Sequence, residues 1–209
     1  MSEEIIELVE AELKQIKNPL IQDFVAYTLM KAPAYLTQVA SSSTGKYHPP
    51  QSRLQPLGLI NHMRSTVAFG VRIGRAYGFE NDDMDAVIAA CLLHDILKYS
   101  DYEKGVEVQQ KHTTKFHDRD GALFVYKAAQ EFKEEKGEEV PMLAVITGSI
   151  AQHMGRWTVR KNPAHAVKKF PEEYTPYEII VHLADMCSSL PEVHMLNIEP
   201  IESNEITIA

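Results

Sequence analysis

Wherever this sequence is not a loop, its apolar residues return at intervals of three and four, and no stretch alternates apolar with polar residues as a strand would. Such a chain hides its apolar surface by packing helix on helix, so the expected class is all-α. Strong stops cut the pattern into pieces. Ser2 is placed to cap a helix over 3–17, whose first turn carries Glu3 and Glu4. Asn18-Pro19 restarts a helix that stops before Pro33. A third runs from Leu59 to Tyr77, with Leu59, His62, Thr66, Phe69 and Ile73 on one stripe and Gly78 at its end. Asn81 caps a fourth, in which Met84, Val87, Ile88, Cys91 and Leu92 share a face that His94 and Asp95 continue. Asp118 or Asp120 opens a helix reaching Lys136. Pro141 opens another, with Met142, Ile146, Ser149 and His153 in line. Thr175-Pro176-Tyr177-Glu178 is a capping box for a last helix, which ends before Pro191. The Ser/Pro/Gly-rich stretch 40–56 and the polar stretch 99–116 stay outside the pattern, the second as a loop or a short hairpin.

No apolar run approaches the length of a membrane span, and the acidic, amphipathic N-terminus is unlike a signal peptide, so a cytoplasmic protein is expected. Cys91 and Cys187 are distant and sit in helical patterns, which offers no disulfide framework and no cysteine zinc site. The net charge of −8 argues against a general DNA binder. Its placement is uneven. Residues 24–79 contain no acid and carry +6; residues 155–170 contain none and carry +5; the remainder holds −19. Either these are solvated faces, or both segments border one anion-binding mouth.

The chemistry-bearing residues are His62, His94, Asp95, His117, His153 and Asp185, spread over five segments at core-facing or helix-end positions. Imidazole and carboxylate are natural ligands for divalent metals. Two ionised aspartates buried among helices are very costly unless paired or metal-bound, and a metal centre answers for both at once.

These residues resemble the HD-domain superfamily of metal-dependent phosphohydrolases, whose signature runs His … His-Asp … Asp. Gly58-Leu59-Ile60-Asn61-His62 is similar to the family's start. The run Ala89 to Lys98 is similar to its small and apolar approach to His-Asp, and Val181-His182-Leu183-Ala184-Asp185 to its late Ala-Asp element. His117 in HDRDGA and His153 in IAQHMGRW match the subset that holds two metals. TGKYHPP is also similar to HD proteins related to a bacterial 3′-to-5′ exoribonuclease, although Pro56-Leu57-Gly58-Leu59 stands where those carry Gly-Gly-Leu.

The resemblance implies an HD-domain helical bundle over 40–196, N-terminal accessory helices over 1–39 packed on it, and an acidic tail over 197–209. It implies one divalent ion on His62, His94, Asp95 and Asp185, and a second on His117, His153 and a bridging Asp95. The ions would be drawn from Mn, Fe, Ni, Zn or Mg. His112 competes in sequence for the part of His117, and a mononuclear site stays open. A metal-bound hydroxide would attack phosphorus, with Asp95 and Lys98 as the catalytic pair. Lys46, His48 and Arg156 are candidate substrate contacts; each reads equally as a surface residue. Trp157 is either a stacking platform or packing, and His182 either supports a ligand or belongs to the core. The expected partner is a small phosphorylated molecule, a nucleotide or short single-stranded RNA or DNA, with no membrane and no long duplex. The amphipathic N-terminal helices pack on the domain or on a second copy in a homodimer. The same six ligands would also serve a di-iron oxygenase, or a non-catalytic domain held together by its metal.

Overall fold

The computed structural model describes residues 2–44, 48–157, 169 and 171–190. Eight α-helices follow one another: α1 Ser2–Leu8, α2 Glu10–Leu13, α3 Pro19–Met30, α4 Gly58–Ala76, α5 Asn81–Leu93, α6 His117–Lys136, α7 Leu143–Gln152 and α8 Pro176–Ser188. Short 3-10 turns fill the connections, and no strand occurs among the described residues. The class is therefore all-α, and the polar stretch 99–116 is a loop with one such turn rather than a hairpin.

Local chemistry sets several boundaries. The Asn18 side chain accepts from the backbone N–H groups of Leu20 and Ile21, with Pro19 at the first helical position of α3. Thr175 and Glu178 close a reciprocal capping box at α8. Gly78 and Gly137 take positive φ where α4 and α6 stop. Other starts depart from expectation. The first helix breaks at Val9 into α1 and α2. Asn81 does not cap α5 but lies inside it at φ 49°. Its first turns are tied down from outside: Asp85 accepts from the N–H groups of Lys17 and Asn18, and Asn18 Nδ2 donates to Asp82. Helix α6 begins at His117, before either aspartate, and α7 begins after a left-handed Met142 at φ 58° rather than at Pro141.

Helix α5 occupies the centre, flanked by α3, α4, α7 and α8, and every residue from Asp85 to Leu93 is buried. A helix covered on all sides needs apolar residues all round, which is why Ala86, Ala89, Ala90 and Leu93 accompany its expected stripe. Gly70 lets α4 approach it: a Cβ there would lie 2.7 Å from Cys91 Sγ. Helix α3 packs on α5 and α6, with Phe24 and Tyr27 both set edge-on to Phe132. One apolar cluster runs from Ile5 to Ala184. No helix among the described residues is long and apolar enough to cross a membrane.

Candidate metal centre

The C-terminal end of α5 delivers His94 and Asp95 into the interior, and α4, α6, α7 and α8 bring His62, His117, His153 and Asp185 to meet them. All four imidazoles and Asp95 are buried, and the Asp185 side chain is 18% exposed. Each ring is aimed by its other nitrogen. Nδ1–H of His94 donates to the Cys91 carbonyl at 2.8 Å, that of His117 to Thr114 at 2.7 Å, and that of His153 to Ile150 at 2.7 Å. The Ser188 hydroxyl spends its hydrogen on the Asp185 carbonyl, so at 3.2 Å it accepts from His62 Nδ1–H. With the rings neutral, the tautomers thus fixed turn the lone pairs of all four Nε2 atoms toward two carboxylates.

Asp95 sits between two pairs of rings. Its Oδ2 is 3.4 Å from His62 Nε2 and 3.3 Å from His94 Nε2. Its Oδ1 is 3.3 Å from His117 Nε2 and 3.5 Å from His153 Nε2. Asp185 Oδ1 lies 3.1 Å from His62 Nε2 and 3.6 Å from His94 Nε2. Donors about 2.0–2.2 Å from a shared ion stand about 2.9–3.6 Å from one another on a tetrahedron or octahedron, which matches these spacings. His117 Nε2 and His153 Nε2 are buried without a hydrogen bond, and Asp95 Oδ2, also without one, is ion-paired to the Lys98 ammonium. Acceptors facing acceptors in a closed space call for a cation, and the donor set fits divalent metals. Two overlapping groups have metal-binding spacing: His62, His94 and Asp185, and His94, Asp95 and His153.

The electrostatics agree. Burial alone would lower the His94 pKa, but Asp95 and Asp185 raise it to about 10. Burial would raise Asp95, yet Lys98 and His94 hold it well below the carboxylate range; His62 and His94 do the same for Asp185. His117, facing one carboxylate, is pushed down by burial and by Lys98. Lys98 Nζ donates to Asp95 Oδ1 at 3.0 Å and lies 2.7 Å from Oδ2.

The centre opens on a cleft of ≈ 710 Å³. Ser41, Ser42 and Thr113 line part of it, and Met154, Trp157, Met186 and Leu190 form an apolar part. Lys98, His48 and His182 also line it. His48 is not a surface loop residue: its ring is buried edge-on to His62 at 5.1 Å, 3.3 Å from Ser189 Oγ. Burial, then His62 and Lys98, push its pKa down to about 3. Arg156 stacks on Trp157 at 4.4 Å and is exposed outside the cleft lining. His112 is exposed, so His117 fills the position the two contested. Lys46 lies outside the described residues, as do Arg160, Lys161, Lys168 and the tail 197–209.

Both acid-free segments reach the cleft, one through Ser41, Ser42 and His48 and the other through Trp157, but among the described residues their cations do not line it. Lys31 pairs with Glu131, Arg64 with Glu12 and Lys169 with Glu178, and Lys98 is the one Lys or Arg in the described cleft wall. Sequence reasoning passed over Ser188, whose only signal is its place one turn after Asp185, and, Trp157 apart, the hydroxyl-bearing and apolar residues of the walls, which four separate segments assemble.

Residues 59–190 match the family model described as HD domain. No curated protein and no solved structure matches the chain, so the likeness of TGKYHPP to exoribonuclease-related proteins rests on those residues alone.

Proposed function

The chain belongs to the HD-domain family, and from that membership we propose a metal-dependent phosphohydrolase that cleaves a phosphate ester of a nucleotide or short oligonucleotide. The observation that carries the reading is Asp95, each of whose oxygens faces a separate pair of imidazole nitrogens, as a carboxylate bridging two ions would. His62, His94, Asp185 and Asp95 Oδ2 would hold one divalent ion, and His117, His153 and Asp95 Oδ1 the other. Such ions, when bound, lower the pKa of coordinated water toward neutrality and neutralise phosphoryl charge. Asp95 would belong to both sets. Lys98, anchored on Asp95 and lining the cleft, presents an ammonium to phosphoryl oxygens as negative charge shifts in the transition state.

The apolar wall supports a nucleotide over a bare sugar phosphate. Trp157 is 54% exposed, and one face of its ring is taken by Arg156. The other face suits a base, and stacking of this kind contributes roughly 1–3 kcal/mol. With Lys98 as the one cation of the described cleft wall, a long duplex finds little counter-charge there, whereas a small phosphate needs only the ions and Lys98.

The test is a manganese-supplemented assay on nucleoside mono- and triphosphates, cyclic nucleotides and short RNA, beside elemental analysis of bound metal. Phosphoester cleavage by the wild type is expected, lost in both His94→Ala and Asp95→Ala. Turnover that survives both changes sinks the assignment. Oxygen consumption by an iron-loaded preparation, with no ester cleaved, would turn it to the oxygenase.

A further inference from the structure

Resting on that reading of the cleft, we propose that His182 recognises a sugar hydroxyl of the nucleotide, accepting its hydrogen at Nε2. His182 belongs to neither metal-spaced group. Its Nδ1 lies 2.6 Å from the backbone carbonyl of His153. A carbonyl can only accept, so Nδ1 carries the hydrogen and Nε2 of the neutral ring is an acceptor. Among the described residues no hydrogen bond takes that acceptor, and the residue is half-buried in the cleft wall.

The ring is held in place from two further sides. It lies over Gly155, where a Cβ would stand 2.4 Å from Cε1 and 2.8 Å from Nε2, and where φ is +58°. Only glycine satisfies both conditions without strain. The Tyr174 ring stands edge-on at 6.2 Å, and its hydroxyl donates to the Gln152 carbonyl. A histidine needed only to fill space would not require a glycine beneath it and an open nitrogen. A fixed acceptor is what recognition of a hydroxyl calls for.

Position along the cleft selects the group recognised. His153, a ligand residue, supplies the carbonyl that orients His182. Gly155 supports the ring, and Trp157 follows two residues later at the rim. His182 thus touches both the residue that carries a candidate ligand and the turn that carries the indole, and in a nucleotide the sugar is what joins phosphate to base.

Isothermal titration calorimetry on Mn²⁺-loaded protein tests this, with adenosine 5′-monophosphate and its 2′-deoxy and 3′-deoxy analogues. The wild type should bind the parent roughly 3- to 10-fold more tightly than one of the two analogues, the worth of one hydrogen bond. His182→Ala should weaken the parent to that analogue's level and leave the analogue unchanged. His182→Phe, which keeps a ring over Gly155, should do the same. Equal affinity of the wild type for all three ligands overturns the proposal, as does discrimination that persists in either variant or uniform weakening of all three. If neither variant folds, the wild-type comparison still decides. Failure of the phosphohydrolase reading would show differently, as adenylate bound with the hydroxyl preference but never cleaved.

Discussion

Asp95 and its four imidazoles show how the interior was designed around positive charge. The ring nitrogens are fixed by partners that sequence does not advertise, three backbone carbonyls and the Ser188 hydroxyl. Removing the hydroxyl frees His62 to rotate and lowers the basicity of its Nε2. Ser188→Ala should therefore weaken metal binding roughly 10-fold or more by competition with a fluorescent chelator, with helicity unchanged. Unaltered affinity would mean that packing alone orients His62. His94 gives a second expectation. In chelated protein its pKa, raised from an ordinary 6.5 to about 10, keeps a proton between Asp95 and Asp185. That ionic contribution is fully present below pH 6.5 and is lost as pH rises through about 10, so chelated protein should lose stability across this window. A metal ion displaces the proton. Titration of metal at pH 8 in buffers of different ionisation enthalpy should register proton release, and a buffer-independent heat would contradict it. The convergence of these six side chains was legible because imidazole and carboxylate on inward helical positions call for one another or for a shared ion. His48 was legible as a candidate contact but its burial was not, because that depends on how the loop folds back: Ser41 N–H bonds Ser52 O, and Gly58 has no room for a Cβ against that same carbonyl.

Among the helices, the two interior glycines near the centre look alike in sequence but meet different surroundings. Gly70 on α4 faces Cys91 and Val87 of α5, where a Cβ would come within 2.7 and 3.2 Å. Gly121 on α6 has 3.4 Å to the His94 carbonyl and 3.6 Å to Ile150. Gly70→Ala should lower stability by about 1–3 kcal/mol through overpacking. Gly121→Ala should be near neutral, its crowding offset by up to about 1 kcal/mol of helix propensity. Paired denaturant melts check both, and equal effects would show that the α4–α5 crossing is not as tight as the geometry gives. Periodicity and caps revealed which segments are helical, since those signals are local. They misplaced the starts of α5, α6 and α7, because tertiary partners such as Asp85 on the Lys17 and Asn18 amides, or the left-handed Met142, decide those ends.

For the molecule as a whole, the family match beginning at residue 59 invites the idea that the first three helices are dispensable. The packing argues otherwise. Ile5, Val9, Leu13, Ile16, Ile21, Phe24, Val25 and Leu29 belong to the same apolar cluster as α5. Exposing a fully buried side chain of this kind costs about 1.5–3 kcal/mol, and a domain has only about 5–15 kcal/mol in total. Part of that loss is returned because the deleted residues no longer have to be ordered. The face they leave behind gets no such return: Phe132 loses the rings of Phe24 and Tyr27, Asp85 loses both amides it accepts from, and Arg64 loses Glu12 two residues from His62. A fragment starting at residue 40 should therefore melt without a cooperative transition or aggregate, and metal should not rescue it. Circular dichroism with and without Mn²⁺ makes the comparison. A fragment that melts cooperatively and binds metal like the full chain would make α1 to α3 a covering rather than a part of the core.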